Sequence, residues 1–110
     1  MYIRAEKGDT VASWRARVLL EEGRYRLQGL ARTAQVNVLT NAVERGNGAG
    51  LRVSGDKRTQ QIVGDAPWTQ LEHEFEVMQG GEDKELVCEL RARQGEVWFD
   101  AASLRLIRGK

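Results

Sequence analysis

Hydrophobic and polar residues alternate with a period of two along most of this chain. Every second residue of Trp14–Leu20 is apolar, with Arg15 and Arg17 on the intervening positions. The alternation resumes in Tyr25–Ala31. A half-buried strand has this period, whereas an amphipathic helix repeats its apolar positions every three or four residues. The pattern therefore predicts two strands that form a hairpin through a turn at Glu21–Gly23.

Three later segments show the same alternation, and each is predicted to be a half-buried strand of an antiparallel sheet. They are Leu51–Val53, Leu71–Val77 and Leu86–Ala92. Glycine-containing segments between the apolar runs predict turns, because glycine tolerates positive φ angles. These are Gly46–Gly48, Ser54–Asp56, Gly64–Asp65, Gly80–Gly81 and Gln94–Gly95. Residues 34–45 are interpreted as a strand end followed by a loop, although their apolar spacing also fits a short helix.

Seven or eight short strands joined by glycine-rich turns indicate an all-β fold, a two-sheet antiparallel β-sandwich of the jelly-roll type. The chain has 110 residues, too few for two separate cores, so residues 1–110 are expected to form one domain. Seventeen Lys and Arg oppose sixteen Asp and Glu, which gives a net charge of +1. This balance argues against nucleic acid or a membrane surface as a partner.

Four stretches carry a resemblance to a known family. In chain order they are LLEEGRYRLQGLART, GAGLRV, VGDAPWTQLEHEFEV and GEVWFDAASLRL. Together they resemble the galactose-binding-like jelly-roll modules, a group that includes many carbohydrate-binding modules of secreted glycoside hydrolases, over about residues 14–108. The resemblance implies a non-catalytic accessory domain, secreted or otherwise extracytoplasmic, whose best-known members bind glycans. Apart from it, the sequence does not define the localisation, the ligand or the oligomeric state.

The inward face of the chain changes near Asp100. Val97 and Phe99 share one parity, whereas Leu104 lies on the opposite parity, and a one-residue bulge would explain the change. A carboxylate beside a bulge can accept the freed backbone N–H groups, and this is our interpretation of Asp100. The alternative is a structural calcium ion, which takes oxygen ligands and which the resemblance also implies. Members of the family often have a second aspartate where this chain has Ala101.

Trp98 is the candidate for an exposed sugar platform. Sugar rings pack their C–H faces on aromatic side chains and accept hydrogen bonds from nearby polar groups. Trp98 has the opposite parity to Val97 and Phe99, so it is predicted to point outward. Trp14 is in phase with Ala16 and Val18 and is interpreted as a core or rim residue, and Tyr25, in phase with Leu27, as a core residue. For Trp68, which follows Pro67, the resemblance implies a packing residue.

Two charged stripes are predicted on outward faces. Arg15, Arg17, Arg24 and Arg26 form the basic stripe, and Glu72, Glu74 and Glu76 form the acidic one. If their strands are neighbours, cross-strand ion pairs neutralise both stripes. If the strands are apart, the arginines are available to an acidic glycan or another protein, since guanidinium matches carboxylate in a bidentate fork. The candidate ligand-binding residues are therefore Trp98 and these four arginines.

No set of residues in the sequence is typical of an enzyme. His73 is the only histidine, and its phase with Leu71 and Phe75 predicts a position within or beside the core. Cys88 is the only cysteine and is predicted to be a buried thiol that forms no intrachain disulfide. The sequence thus predicts a non-catalytic accessory module that binds carbohydrate. The alternative is a structural or protein-interaction jelly-roll domain of a larger protein, with no sugar site.

Overall fold

The computed structural model describes residues 1–5, 10–37, 48–56, 60–78 and 82–109, and these residues form two antiparallel sheets. The strands are β1 (Tyr2–Ala5), β2 (Thr10–Leu20), β3 (Gly23–Asn37), β4 (Gly48–Val53), β5 (Thr69–Val77), β6 (Glu82–Ala92), β7 (Gln94–Phe99) and β8 (Arg105–Arg108). A 3-10 turn at Ala101–Ser103 precedes β8. The predicted all-β sandwich is confirmed.

The two sheets contain five and three strands. In the larger sheet the order is β1-β7-β3-β5, and β8 pairs with β3 beside β7; in the smaller sheet the order is β2-β6-β4. From β1 to β7 the chain changes sheet at every connection. The predicted hairpin between β2 and β3 is therefore wrong, because β2 pairs with β6 and β3 pairs with β5, β7 and β8. Alternation identifies a strand but does not specify its partner.

The core lies between the inner faces of the two sheets. The larger sheet contributes Ile3, Ala5, Leu27, Ala31, Val36, Leu71, Val97 and Phe99, and the smaller sheet contributes Ala49, Leu51, Cys88, Leu90 and Ala92. At one rim the indole N–H of Trp14 on β2 donates to the carbonyl oxygen of Tyr2 on β1, at 3.3 Å. Trp14 is half-exposed there, which confirms the interpretation of Trp14 as a rim residue. Tyr25 is buried as expected.

The change of face near Asp100 occurs through the 3-10 turn. The prediction of a bulge is therefore wrong. The interpretation of Asp100 as a structural hydrogen-bond acceptor is confirmed, because its Oδ1 accepts the N–H of Ala102 at 3.0 Å. The turn also supplies β3 with hydrogen-bond partners where β3 passes from β7 to β8. The Leu30 N–H donates to the Ser103 hydroxyl at 2.8 Å, and the Leu30 carbonyl accepts from the Asp100 N–H at 2.9 Å.

The predicted turns have mixed outcomes. Ser54–Asp56 is a turn, in which the Asp56 N–H donates to the Val53 carbonyl at 2.9 Å. At Gln94–Gly95 the predicted positive φ is confirmed, at +131° for Gly95, but the predicted turn is one residue out of place, because both residues belong to β7 and the chain bends at Arg93. Residues 34–37 end β3, and residues 38–45, 46–47 and 80–81 lie outside the described residues. Within the described ranges, no helix is long and apolar enough to cross a membrane.

Candidate ligand-binding surface

A row of four side chains crosses the outer face of the five-stranded sheet. The antiparallel register places Tyr2 of β1 opposite Trp98 of β7, and Trp98 opposite Arg32 of β3. Trp68 directly precedes Thr69, the residue of β5 that pairs with Ala31. Since opposite residues of an antiparallel pair point to the same face, these positions bring the four side chains together. We call Tyr2, Trp98, Arg32 and Trp68 the aromatic row.

Contacts within the aromatic row are continuous. The rings of Tyr2 and Trp98 have centroids 5.4 Å apart and are inclined by 40°. The Cζ atom of Arg32 lies 4.3 Å from the ring centroid of Trp98 and 5.6 Å from that of Trp68, so its cation interacts with both indoles. Tyr2 is 43% exposed and Trp68 is 50% exposed, while Trp98 is half-buried between its neighbours. The row therefore presents apolar ring surface to solvent on either side of one cation.

Charges around the row are unevenly distributed. The hydroxyl of Tyr2 donates to the carboxylate of Glu96, which anchors the end of the row at the sheet edge. Arg32 is an exposed residue, and within the described part of the chain its guanidinium forms no ion pair with a carboxylate. Its position is held by the two indoles, so its N–H donors are available to a ligand.

The structure places Trp98 on the outer face, as its parity predicts. The interpretation of Trp68 as a packing residue is wrong, because half of its surface is exposed. Sequence reasoning identifies neither Trp68 nor Arg32 as a site residue. A signal for Arg32 exists, since it continues the outward parity of Arg24 and Arg26 along β3. The two indoles beside it belong to distant parts of the sequence, Trp98 in β7 and Trp68 just before β5. The sequence around Arg32 does not indicate that they come together.

Arg24 and Arg26 lie farther along the outer face of the same sheet, where β3 and β5 are neighbours. Arg24 Nε is 3.9 Å from a Glu76 oxygen, and Arg26 contacts Glu72 at 3.7 Å and Glu74 at 4.0 Å. The cross-strand pairing that the sequence predicts for neighbouring strands is confirmed here. An open groove of about 540 Å³ is bordered by both arginines, Glu74, Glu76 and Ile107. Both arginines are thus paired with carboxylates.

Arg15 and Arg17 lie on the other side of the molecule. They are on the outer face of the three-stranded sheet, where Arg15 contacts Glu85 at 2.5 Å and Arg17 contacts it at 3.9 Å. The whole core separates them from Trp98. The five candidate residues, Trp98, Arg15, Arg17, Arg24 and Arg26, therefore do not form one surface.

The outer face of the three-stranded sheet is partly closed by its own charged residues. Glu89 is only 1% exposed, and its Oε1 lies 2.9 Å from Arg52 Nε and 3.4 Å from Arg91 Nε. Val87, on the same face, is fully buried. An ion-pair cluster that is excluded from water in this way holds its side chains in place and leaves little of them for a ligand.

His73 and Cys88 are both buried, as predicted. His73 is 3% exposed; its Nε2 lies 3.0 Å from Asp56 Oδ2, and its Nδ1 has no hydrogen-bond partner among the described residues. Burial raises the pKa of the Cys88 thiol to about 11, so the reactive thiolate is scarce at neutral pH.

Among the described residues, the surroundings of Asp100 supply few ligands for a calcium ion. One of its oxygens already accepts the Ala102 N–H, and Ala101 provides no second carboxylate. Among the residues that the structure describes, no group of three or more His, Cys, Asp or Glu could hold a metal ion. Ca²⁺ takes six to eight oxygens, a number that one capping aspartate does not approach.

Comparison with models of protein families and with curated proteins finds no match to this chain.

Proposed function

We propose that this domain is a non-catalytic module that binds carbohydrate on the aromatic row. The observation that carries the proposal is the exposed aromatic surface of Tyr2 and Trp68, joined through Trp98 and Arg32 into one contiguous strip. Sugar rings offer apolar C–H faces that pack on aromatic rings, and their hydroxyl groups accept hydrogen bonds from a guanidinium. Exposed aromatic side chains grouped in this way are typical of a binding surface.

The shape of the row favours an extended ligand. Neighbouring strands of a sheet lie about 4.8 Å apart, so four positions in a line across the sheet span roughly 14 Å. The row lies on an open sheet face, and an open face can accept the middle of a sugar chain as well as its end. A short run of consecutive sugar rings would contact Tyr2, Trp98 and Trp68 in succession.

The resemblance to galactose-binding-like modules supports the same function. A two-sheet sandwich is the architecture that the resemblance implies, and a secreted or extracytoplasmic accessory domain is the setting that it implies. Of the candidate residues from the sequence, Trp98 keeps its role in the binding surface. Arg32 takes the role that the sequence suggested for Arg15, Arg17, Arg24 and Arg26, because those four are paired with glutamates.

A binding screen with one exposed tryptophan removed tests this proposal. The wild-type domain, Trp68→Ala and Met78→Ala are applied to an array of neutral and acidic glycans. Met78 is the control, because it is an exposed apolar residue just beyond β5 and outside the row. We expect Trp68→Ala to weaken binding about tenfold or more, as for an aromatic anchor, and Met78→Ala to bind like wild type.

Circular dichroism of both variants checks that the sandwich is intact. A wild-type domain that binds no glycan on the array would contradict the proposal, and so would equal binding by wild type and Trp68→Ala. The first result would favour the structural or protein-interaction alternative, and the second would place the sugar site outside the aromatic row.

A further inference from the structure

Arg32 contacts aromatic rings, whereas seven other arginines of the described chain contact carboxylates. Arg15, Arg17, Arg24, Arg26, Arg52, Arg91 and Arg108 each contact a glutamate. Arg32 is placed between two indole rings and, among the described residues, has no carboxylate partner. We propose that it binds a carboxylate of the ligand, so that the domain recognises acidic glycans built from uronic acids. This inference rests on the proposed function and specifies its ligand class.

The indole contacts leave the guanidinium ready for an anion. A cation–π interaction uses the charge of the guanidinium over the ring and does not consume its N–H donors. The planar fork of an arginine matches the two oxygens of a carboxylate. Because contacts with Trp98 and Trp68 restrict the position of Arg32, little further conformational freedom is lost when an anion binds. A sugar ring on the row would place a ring carboxylate beside this fork.

The same contacts exclude cationic ligands. Aromatic side chains grouped on a surface can bind a ligand cation, but the site over Trp98 already holds the cation of Arg32 at 4.3 Å. A second cation there would be repelled by the first. The row therefore suits an apolar ring that is neutral or carries negative charge.

The charges on the rest of this face favour a uronic-acid glycan over a single-stranded nucleic acid. Nucleic-acid grooves combine stacking aromatics with a track of several basic side chains that follow the phosphates. Here Glu96 lies at one end of the row, and Glu72, Glu74 and Glu76 lie on the same face of the neighbouring strand. The three glutamates of β5 already pair with Arg24 and Arg26, so those arginines provide no free basic track for a phosphate chain, whereas a single carboxylate beside Arg32 needs only one guanidinium.

The experiment compares each acid with its uncharged form. Wild type is titrated by calorimetry with oligosaccharides of galacturonate, mannuronate and glucuronate, with the methyl ester of each, and with a single-stranded oligothymidylate. Arg32→Met keeps an unbranched side chain and removes the charged guanidinium. Arg105→Met is the matched control. Arg105 of β8 is an exposed arginine on the outer face of the same sheet, opposite Gln28 of β3, and among the described residues it likewise has no carboxylate partner.

We expect at least one acid to bind wild type about tenfold or more tightly than its methyl ester, as for a hydrogen bond to a charged group. Arg32→Met is expected to remove this preference, so that acid and ester bind the variant about equally. Arg105→Met is expected to keep the preference. A shallow dependence on salt should accompany binding, since one charge pair is involved.

Three results would overturn the inference. Equal binding of acid and ester by wild type would leave a neutral-sugar module and reject the acidic ligand alone. Equal losses in Arg32→Met and Arg105→Met would show that the preference is a general charge effect. Binding of oligothymidylate, lost in Arg32→Met, together with no binding of any glycan, would reject both the acidic ligand and the carbohydrate function.

Discussion

Gly48 is held in a backbone position that leaves no room for a side chain. Its φ is +72°, a value that L side chains rarely adopt. A Cβ atom at this position would lie 2.3 Å from the carbonyl oxygen of Ile62 and 2.7 Å from Val63 Cγ1. The next residue, Ala49, exchanges two backbone hydrogen bonds with Ile62, of 2.9 and 3.0 Å. The missing side chain thus allows the segment before β5 to bind the edge of β4.

We expect Gly48→Ala to destabilise the domain far more than Gly64→Ala. Gly64 has nearly the same φ, +68°, but a Cβ atom added there would meet no described atom within 4 Å. Gly64→Ala should therefore cost only about 1 kcal/mol, for the backbone conformation. Gly48→Ala adds a steric clash with backbone and should cost about 3 kcal/mol or more. Denaturant unfolding measures both, and equal losses would contradict the steric argument.

At the scale of the strands, β3 needs a side-chain hydrogen-bond acceptor at the point where its partner changes from β7 to β8. Its edge pairs with β7 from Ala31 onward and with β8 over Tyr25–Gln28. Between them, the Ser103 hydroxyl accepts the Leu30 N–H at 2.8 Å and donates to the Asp100 carbonyl at 2.7 Å. The Ser103 hydroxyl therefore serves as the acceptor that a carbonyl of a neighbouring strand would otherwise provide.

Ser103→Ala is expected to lower the free energy of unfolding by about 1–2 kcal/mol, because the Leu30 N–H loses its acceptor in a partly buried position. Ser54→Ala is the control, since Ser54 is exposed in a turn and its described hydrogen bond uses the backbone N–H. Thermal unfolding of the two variants gives the comparison. A loss in Ser103→Ala no larger than that in Ser54→Ala would show that water replaces the hydroxyl at no cost.

The strands can be predicted from the sequence far better than their partners. Period-two alternation locates β2, β3, β5 and β6, because each has one face on the core. It also gives the outward direction of Trp98. The pairing of β2 with β6 has no local signal, and neither does the meeting of Trp98, Arg32 and Trp68. The interpretation of Trp68 fails because it rests on the packing role that the resemblance implies, whereas this tryptophan lies just before β5 and is half-exposed.

At the scale of the whole molecule, the two outer faces differ in their access to solvent. The face of the three-stranded sheet contains the buried cluster of Glu89, Arg52 and Arg91. The face of the five-stranded sheet carries exposed ion pairs such as Arg24 with Glu76. This difference supports the five-stranded sheet as the face on which we propose that a ligand binds.

Glu89→Ala should therefore destabilise the domain by about 3 kcal/mol, because two largely buried guanidinium groups lose a common carboxylate. Glu76→Ala should change the free energy of unfolding by less than about 0.5 kcal/mol, since it removes an exposed pair. Urea unfolding at neutral pH measures both variants. Similar small effects would mean that water reaches the cluster around Glu89.

The passage of the chain from sheet to sheet also governs how the domain can fold. Among the described strands, none is hydrogen-bonded to the strand that follows it in sequence. No hairpin of these strands is therefore available as a local nucleus, and the first strand pairs can form only after long loops have closed. Folding dominated by such non-local contacts typically takes about milliseconds to seconds. During that time the apolar faces of β3 and β6 stay open to other chains, so newly made domains are most vulnerable to aggregation before the sheets meet.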